Sequence, residues 1–92
     1  MTERSVQIKV RGVVQGVNFR TSTRVKAEAL MLSGMVRNEP DGSVYIEAAG
    51  SPEQIDKLIE WCKKGPPRSK VERVEVSECD VKTFTGFEIK KF

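Results

Sequence analysis

Three alternating apolar residues, Val6, Ile8 and Val10, run into a glycine-bracketed loop and then into a helical pattern. This order constrains the chain most. Gln7, Lys9 and Arg11 take the intervening positions, the period-two pattern of a half-buried strand. Gly12 and Gly16 bracket the loop. From Thr21 to Leu32 the spacing turns helical, with Val25, Ala29 and Leu32 expected on one apolar stripe and Arg24, Lys26 and Glu28 off it. Thr21, Ser22 and Thr23 are candidates to satisfy its first-turn donors, and Ser33-Gly34 to end it.

The remaining punctuation completes a topology. Met35 to Glu39 predicts a second strand, Pro40-Asp41-Gly42 a tight turn, and Ser43 to Ala49 the returning strand of a hairpin. Ser51 and Pro52 read as the cap and first position of a second helix. Ile55, Leu58, Ile59 and Cys62 fall on one face of it, and Pro66-Pro67 forbid its continuation. A fourth strand is expected within Val71 to Cys79, a polar loop from Asp80 to Gly86, and a short terminal strand at Phe87 and Ile89. The order β-α-β-β-α-β plus a terminal strand describes an α+β sandwich: one antiparallel sheet with two helices on one face. A chain of 92 residues with no repeat or linker is expected to form one domain over residues 1–92.

Composition narrows the chemistry. At 38% hydrophobic and 32% charged the chain is that of a soluble globular domain, with no apolar run near the roughly 20 residues a membrane span needs. The N-terminal MTERSVQIKV lacks the continuous apolar stretch of a signal peptide. The net charge of +3 favours anionic ligands but falls short of a nucleic-acid signature. There is no histidine, which removes the commonest general base and the commonest metal ligand together. Cys62 and Cys79 are too few for a zinc site and are expected as reduced thiols in a cytoplasmic protein, Cys62 in the core; a disulfide between them is the lesser alternative.

The loop Val13 to Arg20 is the candidate site. Successive backbone N–H groups in a turning loop converge on an oxyanion, a helix N-terminus adds favourable potential, and Arg20 can grip two oxygens with its planar fork. On spacing alone, an ordinary strand–helix connection accounts for these residues equally well. Asn38, where a strand would ordinarily carry a β-branched or aromatic residue, is either turn chemistry for Pro40-Asp41-Gly42 or a placed amide. From the residues alone, turn chemistry is the simpler reading.

The chain resembles the acylphosphatase family over essentially its full length. The resemblance is carried by VRGVVQGVNFR at Val10 to Arg20 and GMVRNEPDGSVYIEAAG at Gly34 to Gly50, with KGPPRSKVERVEV at Lys64 to Val76 and GFEIK at Gly86 to Lys90. It implies a ferredoxin-like βαββαβ fold and hydrolysis of the mixed anhydride of small acyl phosphates to a carboxylate and inorganic phosphate. It implies a phosphate cradle from the backbone N–H groups of Gln15, Gly16, Val17, Asn18 and Phe19, Arg20 as the clamp, and Asn38 orienting the attacking water. No metal or organic cofactor is implied; phosphate would be product and inhibitor, and a monomer is expected. Two residues depart from the common pattern: Met35, where an aromatic is frequent, and Asn18 at the variable loop position.

Three rivals share the scaffold. A non-catalytic RNA- or phosphoanion-binding module would want aromatics on the open sheet face, where only Tyr45 stands. A soft-metal carrier would want paired cysteines after the first strand, where VQGVNF stands instead. An accessory domain of a larger maturation enzyme is disfavoured by a chain ending at Phe92 without a linker.

Overall fold

The computed structural model describes residues 3–80 and 84–91. Its elements are β1 (Arg4–Val13), α1 (Phe19–Ala29), β2 (Ser33–Asn38), β3 (Val44–Gly50), α2 (Pro52–Lys64), β4 (Lys70–Glu78) and β5 (Phe87–Lys90). The strands form one sheet in the order β4-β1-β3-β2-β5. Four of them pair antiparallel, as expected, while β5 pairs parallel with β2, Phe87 opposite Gly34 and Ile89 opposite Val36. The sheet is therefore mixed. Of the polar loop expected over residues 80–86, residues 81–83 lie outside the described residues.

The alternation in β1 does what its period dictates. Val6, Ile8 and Val10 are fully buried, and with Val36, Val44 and Ile46 they form the sheet side of the core. Gln7, Lys9 and Arg11 stay partly exposed on the other face. Ile55, Leu58 and Cys62 supply the α2 side. That helix starts as its sequence requires, with the Ser51 hydroxyl accepting from the Gln54 N–H and Pro52 in the first turn. Burial pushes the Cys62 thiol up to about 12, so it is an inert packing group, and neither cysteine is in a disulfide.

α1 departs from the expected helix in start and in phase. It begins at Phe19, two residues before Thr21, so Arg20 stands in its first turn. Its cap is Asn18 in a left-handed conformation (φ 65°), not a serine or threonine side chain. Thr23 instead donates its hydroxyl to the Phe19 carbonyl. The buried face carries Phe19, Thr23 and Ala27, followed by Leu30. Val25 and Ala29, expected in the core, are exposed; Leu32 is buried, but beyond the helix end. The reason is area. Phe19, the largest apolar side chain of the helix, is 2% exposed and sets the buried face, and each residue of offset turns the helix by about 100°.

β1 reaches the site through a close approach. The register between β1 and β4 slips between Arg11 and Gly12. There Gly12 lies at φ 132°, and a Cβ on it would stand 2.1 Å from the Lys70 carbonyl oxygen. Only glycine lets β1 press this closely on β4 before turning into the loop.

Candidate active site

Two buried side chains pin the ends of the loop between β1 and α1. Val14 is 1% exposed and Phe19 2%. The Phe19 ring packs against Trp61 of α2 at 5.5 Å between centroids, with the planes tilted by 59°. Between these anchors Gly16 (φ 74°) and Asn18 (φ 65°) both take left-handed conformations. Such a backbone curls successive N–H groups toward one concave side. Asn18 thus holds a position that glycine or asparagine fills at least cost, a backbone role that its place in the sequence does not announce. Among the described residues, no backbone acceptor meets the N–H groups of Gln15, Gly16, Val17 or Asn18.

The concave side is a cavity of about 180 Å³. Val14, Gly16, Asn18, Phe19, Arg20 and Thr21 line it from the loop and first turn of α1, and Asn38 closes it from β2. Among the described residues, Arg20 is its one charged lining residue. Among the described residues the guanidinium has no carboxylate partner, so its donors stay available to a ligand. The structure therefore brings together Gly16, Asn18, Phe19, Arg20 and Asn38. Gln15 and Val17 belong to the loop but not to the cavity lining.

Asn38 is not spent on the turn. Its backbone pairs with Val44, and its side-chain Oδ1 is buried without a protein partner. The turn is built by Asp41, whose carboxylate accepts from the N–H and hydroxyl of Ser43. These bonds, with Lys9 nearby, hold the Asp41 carboxyl below the usual carboxylate range. An orphaned buried acceptor is costly, unless a water or ligand donates to it.

Gln15 has a role that sequence reasoning missed. Its side-chain amide donates to the Glu39 carbonyl at 2.8 Å and the Ser43 carbonyl at 2.9 Å. These bonds tie the loop to the β2–β3 hairpin, next to Asn38. A glutamine in a loop carries no pattern that would reveal this, because its partners lie 24 and 28 residues away.

The model that describes the family acylphosphatase matches residues 6–89. The acylphosphatase of Acaryochloris marina is 52% identical over 80 residues, covering 87% of this chain and 86% of that protein. The chain belongs to the acylphosphatase family. The solved acylphosphatase of Coxiella burnetii superposes with a TM-score of 0.93 at 40% identity, covering 96% of this chain and 93% of that one. That of Bacillus subtilis gives 0.92 at 35% identity, covering 95% and 98%. Membership of the acylphosphatases decides for a hydrolase of small acyl phosphates over the binding-module and metal-carrier readings. It also gives the fold its ferredoxin-like class. Among the described residues, no helix is long and apolar enough to cross a membrane.

Proposed function

We propose that the acylphosphatase reaction runs in the cavity between the loop and Asn38. The backbone N–H groups of Gln15 to Phe19 hold the phosphoryl oxygens, and Arg20 clamps two of them. Asn38 accepts from the attacking water through Oδ1 and so aims it at phosphorus. The water oxygen bonds to phosphorus as the bond from phosphorus to the acyl oxygen breaks, and that electron pair leaves with the carboxylate. The water's proton passes to a phosphoryl oxygen of the substrate, giving dihydrogen phosphate. A carboxylate is a good leaving group, so the transition state is loose and needs charge stabilisation and alignment more than a base. This suits a chain without histidine.

The observation that carries the reading is that Arg20, the loop and Asn38 line one cavity, and that the Asn38 side-chain oxygen is left without a protein partner. Among the described residues its lining offers no carboxylate, thiol or imidazole, and the reading takes no metal. The test is release of phosphate from benzoyl phosphate in the presence of a chelator. Full turnover is expected, with inorganic phosphate inhibiting competitively. Turnover that depends on added divalent cation would overturn the metal-free mechanism.

Gln15 enters as a positioning residue. Gln15→Leu removes both bonds from the loop to the hairpin and lets Asn38 drift from the phosphoryl group. kcat is expected to fall roughly tenfold, since small misplacements of an aligned group are costly. Inhibition by phosphate, which needs only loop and arginine, should change little. An equal loss of phosphate affinity would make Gln15 part of the cradle itself.

A further inference from the structure

Asn18 and Thr21 line the small cavity and also line a larger space between α1 and α2. Asn38 and Arg20 line the cavity alone. A substrate whose phosphoryl group sits in a cavity of about 180 Å³ extends its acyl part outward, and the boundary at Asn18 and Thr21 is a way out that Asn38 does not border. In-line displacement needs this separation, with the attacking water on one side of phosphorus and the leaving oxygen on the other. The bond that breaks, from phosphorus to the acyl oxygen, then lies at that boundary.

The side chain of Asn18 is unspent. Its backbone serves the loop: at φ 65° it caps α1, and its carbonyl accepts from the Ser22 N–H. The side-chain amide makes no capping hydrogen bond and has no other partner among the described residues. Glycine would meet the backbone requirement at no greater cost, so the amide adds a group that the fold does not use. It carries two N–H donors on a short stem that springs from within the cradle, one residue before Phe19. In a loose transition state the charge that develops there falls on the departing acyl oxygen.

We propose that Asn18 is a further catalytic residue: its side-chain amide donates a hydrogen bond to the acyl oxygen as the bond from that oxygen to phosphorus breaks. The electron pair stays with the oxygen, the carboxylate leaves, and no proton moves to or from the amide. Loop N–H groups and Arg20 stabilise the phosphoryl oxygens, and Asn18 stabilises the leaving group. The proposal rests on the acylphosphatase reading of the cradle.

Asn18→Gly tests it, because glycine keeps the left-handed backbone and the N–H of the cradle while removing the amide. The readout is kcat/KM across benzoyl phosphates substituted at the para position from nitro to methoxy, a change in how well the carboxylate leaves. A lost donor to the leaving oxygen costs most where the leaving group is poorest. On benzoyl phosphate the variant is expected to lose on the order of tenfold, less than the roughly 10²–10³ of an oxyanion-hole donor, because carboxylate charge is spread over two oxygens. Its loss on the methoxy compound should exceed that on the nitro compound by about threefold. Inhibition by inorganic phosphate, which has no acyl oxygen, should be unchanged. A loss equal across the series marks a loosened loop and overturns the proposal, as does phosphate inhibition that weakens in step with turnover. Asn18→Asp is an independent check, since aspartate tolerates the same backbone but sets a carboxylate against the developing charge. Turnover below that of Asn18→Gly supports the proposal, and turnover at or above it overturns the proposal. A parent protein that hydrolyses none of the series refutes the cradle reading itself, and the role of Asn18 with it.

Discussion

Arg20→Lys is expected to lower kcat on benzoyl phosphate by on the order of 10³-fold while the fold is retained. An arginine on a transferring phosphoryl group is worth ~10³–10⁵ in rate, and a lysine recovers the charge but not the fork. Arg20 stands in the first turn of α1, partly exposed, so a lysine there fits the helix as well as the arginine does. What the variant loses is geometry. The guanidinium presents parallel N–H groups to two oxygens at once, whereas an ammonium offers one strong contact whose direction is not fixed by its stem. Because the proposed clamp would also hold the ground-state phosphoryl group, inhibition by inorganic phosphate should weaken as well. Steady-state kinetics, phosphate inhibition and circular dichroism on the same preparation check all three expectations. A lysine variant with near-native turnover would remove Arg20 from the clamp.

What the sequence could disclose follows from how far each signal reaches along the chain. β1 was readable because alternation is local, and Val6, Ile8 and Val10 are buried as their period demands. α2 was readable to its cap, because Ser51, Pro52 and Pro66-Pro67 mark its ends locally. α1 was misphased because its decisive residues precede the helical pattern. Asn18 caps it through a left-handed backbone rather than a side chain, and Phe19, taken as loop, fixes which face is buried. The parallel pairing of β5 with β2 could not be read from a four-residue strand, since alternation says nothing about direction. The site divides in the same way. Arg20 and the loop stood out by type and order. Asn38 was ambiguous, because an asparagine before Pro-Asp-Gly explains itself as turn chemistry until the structure gives that work to Asp41.

Asn38→Ala is expected to separate activity from both binding and stability. kcat should fall by roughly 10²–10³-fold, the cost of losing one well-aimed polar group at a reacting centre. Inhibition by inorganic phosphate should persist, since the loop amides and Arg20 remain. Stability supplies the sharper expectation. The Asn38 Oδ1 is buried with no protein partner, a state that costs roughly 1–3 kcal/mol in a fold that gains nothing from it. Removing the amide while leaving the backbone pair with Val44 intact should therefore keep the melting temperature or raise it. An ordinary structural asparagine behaves in the opposite way: its loss lowers stability and damages phosphate binding and turnover together. A variant that is inactive, at least as stable as the parent and still inhibited by phosphate would mark Asn38 as a group kept for the water it aims. A variant that melts early and no longer binds phosphate would mark it as scaffolding and leave the attacking water without an orienting residue on β2.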